Sequence, residues 1–143
     1  MVDKKGILEH FRELNEALKD WERYQTISLR ELRSDRDKQN MVLHALLVSI
    51  QASIDIANHI IAEKSLQKPS TYREIFEILS KEGIISSELG DSLSDLAGFR
   101  NVLVHIYWRV NFEQVYRVLQ EDLSPLKEFK KVIKDLLQKE LGG

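Results

Sequence analysis

The chain has 143 residues, 43% hydrophobic and 31% charged, the makeup of a single soluble domain spanning residues 1–143 with a core of its own. A formal net charge of −2 excludes a general polycation that holds nucleic acid by bulk attraction, and the absence of cysteine excludes disulfides, thiolate metal sites and a cysteine nucleophile. No run of roughly 18 apolar residues argues for a membrane span, and the opening MVDKKGILEHFRELNE lacks a signal-peptide core, so a cytoplasmic protein with no membrane partner is expected.

No repeat or low-complexity segment occurs, and no stretch alternates apolar and polar residues for long enough to read as a strand. The first element reads as one long helix over about 5–33. Ile7, Phe11, Leu14, Leu18, Trp21 and Leu32 recur at a spacing of four and three, and Gln25 and Ser28 take the remaining positions of that stripe. Ser34-Asp35-Arg36-Asp37 is the expected break. The second helix, about 36–66, carries an apolar line of Leu43, Leu47, Ile50, Ile54, Ala57 and Ile61, widened by Val42, Leu46, Ile56 and Ile60, and is expected to be the most buried. Beside it runs a second line, His44, Val48, Gln51, Asp55, His59 and Ala62. Polar groups next to so broad an apolar face are costly unless they are partnered or line a site.

Thr71 and Glu74 have capping-box spacing, which predicts a short helix with Tyr72, Ile75, Phe76 and Leu79 inward and a stop at Gly83. Ser86 or Ser87 caps the next helix, about 87–107, with Leu89, Leu93, Leu96 and Leu103 on one side. Asn111 restarts a helix through Leu123. Ser124-Pro125 opens or kinks the last one, in which Leu126, Phe129, Val132, Ile133, Leu136 and Leu137 face inward. The expectation is an all-α bundle of five or six helices.

The chemistry-bearing segment is Gly98-Phe99-Arg100-Asn101-Val102-Leu103-Val104-His105-Ile106-Tyr107. At about 100° per residue, Asn101 and His105 share one line of a helix, and Arg100 and Tyr107 share another; Arg100 and His105 lie about 140° apart. On one straight helix the arginine and histidine therefore point to different spots. The helix can end near His105, the long arginine can wrap towards the histidine, or two copies can meet across a two-fold axis. The third arrangement is favoured, helped by the first, since Ala97 and Gly98 are small enough for close approach. Histidine exchanges protons near neutral pH, and arginine presents a fork of donors that suits phosphate oxygens. Asn101 can orient the site, and Tyr107 adds a hydroxyl. Without a carboxylate cluster, this set suits metal-independent RNA cleavage: an imidazole assists the 2′-hydroxyl, a cation steadies the phosphoryl charge, and the products are a 2′,3′-cyclic phosphate and a 5′-hydroxyl. The two-residue spacing alone is unspecific, because an arginine near a helix end is often only a salt-bridge partner.

Other residues read more plainly. Asp55 and His59, one turn apart, are too few for a metal site and are expected as a hydrogen-bonded pair supporting the motif helix. His44 reads as an interior or interface histidine, and His10 as a surface residue. Ser49 and Ser53 bond back along their helix. Asp91 and Asp95 suit the start of a helix. Trp108 and Arg109 can form the rim of an RNA cleft or, for Trp108, part of a core or dimer seam. Lys127, Lys130, Lys131 and Lys134 are offset by Glu128 and Asp135 and read as a solvated face.

The run Arg100-Asn101-Val102-Leu103-Val104-His105-Ile106-Tyr107 resembles the Arg-x4-6-His signature of the HEPN superfamily and, in its Arg-x4-His-x-Tyr form, the HepT-like branch. Asp55 to Ile61, Pro69 to Phe76 and Leu96 to Phe99 agree with it, so the likeness covers roughly 40–120. The resemblance implies a symmetric homodimer of helical, HEPN-like subunits. It also implies a ribonuclease toxin encoded beside a small MNT-type nucleotidyltransferase antitoxin. Arg100 and His105 would then be the catalytic pair, and Tyr107 the acceptor that the antitoxin modifies with AMP. No cofactor and no metal is implied. The rival reading is a non-catalytic, nucleotide- or substrate-binding helical subunit of a nucleotidyltransferase pair, in which Arg100 and His105 only bind phosphate. A third is a helical dimer whose motif merely locks the interface.

Overall fold

The computed structural model describes residues 4–105 and 110–142. These form seven α-helices and no strand: α1 (Lys4–Tyr24), α2 (Leu29–Ser34), α3 (Arg36–Glu63), α4 (Tyr72–Lys81), α5 (Ser87–His105), α6 (Phe112–Glu121) and α7 (Leu123–Gly142). The all-α expectation holds, with one helix more than the range expected.

The extra helix comes from a break in the expected first one. Ser28 caps α2: its side chain accepts from the Glu31 amide at 3.1 Å, and the Glu31 carboxylate accepts from the Ser28 amide at 3.3 Å. That Ser-x-x-Glu box was legible in the sequence, but the unbroken apolar stripe overrode it. The turn is held from outside as well. Trp21 Nε1 and Gln25 Nε2 both donate to the Leu119 carbonyl, at 2.8 and 3.0 Å, and Gln120 Nε2 donates to the Gln25 carbonyl at 2.7 Å. Ile27 and Leu32 remain in the core across the break, which is why the stripe looked continuous. Glu31 also accepts from Lys38 of α3, and this bond is the main reason its carboxyl lies below the ordinary carboxylate range.

The other boundaries follow local chemistry. The Asp35 side chain accepts from the Asp37 and Lys38 amides and opens α3. Thr71 caps α4 by accepting from the Glu74 amide at 3.1 Å, while the Glu74 carboxylate turns back to the Ser70 amide at 3.2 Å, one residue upstream of the expected box. Gly83, at φ +75°, ends the α4 segment in a backbone region that side chains disfavour. Ser86, rather than Ser87, accepts from the Leu89 amide, and Asn111 caps α6.

Helix α3 is the axis of the bundle and touches all six other helices. Val42, Leu46, Ile50, Ile54, Ile56 and Ile60 are each no more than 1% exposed, so it is the most buried helix, as its composition implies. It is long and apolar enough to cross a membrane by length and composition, yet 61% of its apolar window is covered by other helices, the pattern of a core helix. Helix α1 lies along α3 with Ile7, Leu14, Leu18 and Trp21 inward. Phe76 of α4 meets Phe129 of α7 edge to face, centroids 5.6 Å apart. The buried Ser53 hydroxyl donates back to the Ser49 carbonyl at 2.9 Å, as expected, whereas the buried Ser49 hydroxyl, expected to do the same, has no hydrogen-bond partner among the described residues.

Helices α4 and α5 form a tight pair, and Gly90 packs directly against α4. A Cβ at Gly90 would lie 2.8 Å from Ser80 Cβ and 3.4 Å from the Phe76 carbonyl oxygen. Gly90→Val is therefore expected to destabilise the fold by about 1–3 kcal/mol, read as a lower urea midpoint with unchanged slope. Asp122 sits between α6 and α7, where partial burial, with help from Glu121, raises its carboxyl pKa. The folded state thus holds this proton more tightly than the unfolded chain does, and the associated stability is lost as pH rises through the raised pKa. Asp122→Asn is expected to raise the melting temperature at about pH 7 and to leave it unchanged near about pH 3, where both states are protonated.

Candidate active site

Arg100 lies on α5, where its side chain reaches across to α3 and α4. Its Nε donates to Gln51 Oε1 at 2.9 Å, and its guanidinium carbon lies 4.8 Å from the centroid of the Tyr72 ring. Its Nη1 approaches Asn101 Oδ1 at 3.5 Å. Gln51 Nε2 in turn donates to Asp55 Oδ1 at 2.9 Å. The other Asp55 oxygen is 3.8 Å from His10 Nδ1, and the His10 ring lies against that of His59 with centroids 5.4 Å apart. A hydrogen-bonded chain therefore runs from α3 to α5 along the polar line beside the apolar face of α3; His10 of α1 lies at its Asp55 end, with its buried Nδ1 making no hydrogen bond among the described residues.

Two hollows meet over this chain. One, about 720 Å³, is walled mainly by Asn58, Ile61, Leu66, Tyr72, Ile75 and Asn101. The other, about 430 Å³, is lined by His10, Asp55, Asn58, His59 and Ala62. Asn58 and Ala62 border both. The larger hollow has an aromatic wall at Tyr72, and the Arg100 guanidinium lies over that same ring. With Nε taken by Gln51 and one face by Tyr72, the outer edge of the guanidinium is the part suited to grip an anion.

The structure corrects several expectations. Asp55 pairs with Gln51 and faces His10, while His59 packs on His10, so the expected Asp55–His59 hydrogen bond is not formed. Among the described residues, Asp55 is linked to the motif helix only through the Gln51 amide, which bonds both Asp55 and Arg100. His10, expected at the surface, is only 30% exposed, because α1 lies along α3 and turns this residue onto the polar line. His44, expected inside or at an interface, is exposed on the single chain, so it is not an interior histidine. Ala97 is fully buried within the chain, and Gly98 lies under the Arg73 side chain, whose Nη1 would be 2.9 Å from an added Cβ. Neither small residue therefore presents a bare face to a second helix. Asp95 is held by Arg73 at 2.8 Å. The lysines of α7 border a groove shared with α1, in which Lys127 pairs with Glu22 at 2.9 Å.

Helix α5 is described as far as His105. The His105 side chain, and Tyr107, Trp108 and Arg109 altogether, lie outside the described residues. Sequence reasoning missed three participants. Gln51 was on the polar line but unassigned, Tyr72 was read as core, and His10 as surface. Only the line that Gln51 shares with Asp55 and His59 signalled any of them.

A family model for HepT-like ribonucleases matches residues 14–133. The chain belongs to the HepT-like ribonuclease family. It is therefore a HEPN protein, and endoribonuclease is its enzyme class. The mRNA nuclease HepT of Shewanella oneidensis is 35% identical over 104 residues, 73% of this chain and 78% of that protein. The solved tri-AMPylated Shewanella oneidensis HEPN toxin, in complex with an MNT antitoxin, superposes with a TM-score of 0.81 at 30% identity, covering 94% of this chain and 99% of that one. The cytosolic protein YutE of Bacillus subtilis shares the fold at a TM-score of 0.86 and 22% identity, over 99% of this chain and 95% of its own. This last match covers the first helices too, so they belong to the shared fold.

Proposed function

We propose that this HepT-like chain is a metal-independent endoribonuclease toxin that works as a cytoplasmic homodimer and is neutralised by an MNT-type nucleotidyltransferase. The observation that carries the reading is the Arg100 guanidinium, held between Gln51 and Tyr72 with Asn101 beside it, next to the hollow that Tyr72 and Asn101 line and five residues before His105 in the chain. The family and the Shewanella relative, an mRNA nuclease whose toxin structure is AMPylated and antitoxin-bound, support the same reading.

In this mechanism Arg100 binds a non-bridging oxygen of the scissile phosphate and neutralises the charge that grows there in the transition state. His105 takes the proton of the 2′-hydroxyl as that oxygen attacks phosphorus. The bond from phosphorus to the 5′-oxygen breaks, and that oxygen receives a proton from the second imidazole, supplied by the partner protomer. The products are a 2′,3′-cyclic phosphate and a 5′-hydroxyl. Asn101 orients the bound phosphate. Trp108 and Arg109 form the rim that holds flanking RNA. AMP attached to Tyr107, two residues from His105, blocks the cleft by bulk and negative charge.

Purified protein is expected to cleave a fluorophore–quencher RNA in excess chelator at an undiminished rate. His105→Ala should lower that rate by about 100- to 10,000-fold, and Arg100→Ala by about 100- to 1,000-fold, with helix content by circular dichroism unchanged in both. RNA binding without turnover by the wild-type protein would replace this proposal with a phosphate-binding subunit of the nucleotidyltransferase pair. Co-incubation with the cognate nucleotidyltransferase and ATP should add AMP to the wild-type chain and not to Tyr107→Phe, as read by mass spectrometry.

A further inference from the structure

Resting on the reading of Arg100 as the phosphate-binding cation, we propose that Gln51 of α3 is the positioning residue for that cation, with Asp55 setting the direction of its amide. An amide has two ends of nearly equal shape, one an acceptor and one a donor. Asp55 Oδ1, 2.9 Å from Gln51 Nε2, is an acceptor when ionised, so it demands the amino end. The carbonyl end must then face Arg100, whose Nε–H can only donate, and it receives that bond at 2.9 Å. Reversing the amide would set donor against donor at Arg100 and acceptor against acceptor at Asp55. The Tyr72 ring, 4.8 Å from the guanidinium carbon, fixes the plane that the single Nε bond leaves free to rotate.

The choice of an amide has a chemical reason. A carboxylate at this position would bind the guanidinium through two oxygens and cancel its charge. The Gln51 carbonyl engages Nε alone. It leaves the full positive charge and the outer Nη edge for a phosphate. The balancing carboxylate is kept one residue further away, at Asp55, itself 3.8 Å from His10 Nδ1. Cation, amide, carboxylate and imidazole thus follow one another across α5, α3 and α1.

The test measures kcat and KM on the fluorophore–quencher RNA, with thermal melting alongside, for Gln51→Leu, Gln51→Glu and each of them combined with Arg100→Ala. Gln51→Leu is expected to lower kcat by about 10- to 100-fold, with a smaller change in KM. Gln51→Glu keeps the shape and an acceptor but is expected to be slowed as well, because it neutralises Arg100 and abuts Asp55. In the Arg100→Ala background neither change at Gln51 should cost anything further, since Gln51 acts only through Arg100. Equal losses in the presence and absence of Arg100, or Gln51→Glu running at the wild-type rate, would overturn the positioning role. Full activity of Arg100→Ala alone would instead overturn the functional reading on which that role rests, so the two failures are distinguishable.

Discussion

The guanidinium of Arg100 is held by two neighbours that do not share its helix: the Gln51 carbonyl on Nε and the Tyr72 ring on its face. An arginine side chain has rotamer freedom worth about 2 kcal/mol, and at a half-exposed position it would ordinarily keep most of it. Here α3 and α4 supply the restraints, so the orientation of the charge depends on how these two helices meet α5. The capped start of α4 at Thr71 sets the register of Tyr72, and the Asp35 cap sets that of Gln51 along α3. The site is thus an outcome of helix registers, not of a local motif.

That dependence explains why the core is built around α3. A helix that touches all six others can carry apolar groups on most of its circumference and still present one polar line. On that line Gln51, Asp55 and His59 lie one turn apart, and all three are partly buried. Polar groups in such surroundings cost free energy unless they find partners. Gln51 and Asp55 find theirs in each other and in Arg100, and His59 packs on His10. The bundle's interior and the candidate site are therefore two sides of the same helix. The helix that looks apolar enough to span a membrane is the one whose Gln51 holds the Arg100 side chain in place.

Much of this was legible beforehand. Helix periodicity identified six of the seven segments, because an apolar stripe of period 3.6 reports directly which face is buried. The starts at Thr71, Ser86 and Asn111 were visible because capping is a contact between residues two or three apart, while Asp35 was legible only as part of a break. The first helix was misread for an equally physical reason. Its stripe runs on through Ile27 and Leu32 while the backbone turns at Gln25, and the bonds that hold the turn come from Leu119 and Gln120, more than ninety residues away. The resemblance to HEPN proteins located Arg100 and Asn101 but carried no information on what restrains them.

By itself, the sequence determined the all-α class, the central burial of α3, the family and the helix that carries Arg100 and ends its described span at His105. Each of these rests on spacing along the chain, which a sequence displays. Only the tertiary structure decided that Asp55 reaches Arg100 through Gln51, that His10 turns inward to Asp55, that Gly98 lies under Arg73 and that Tyr72 is a platform rather than plain core. These are contacts between side chains far apart in the chain, set by the mutual rotation of α1, α3, α4 and α5. The period of any one helix says nothing about that rotation.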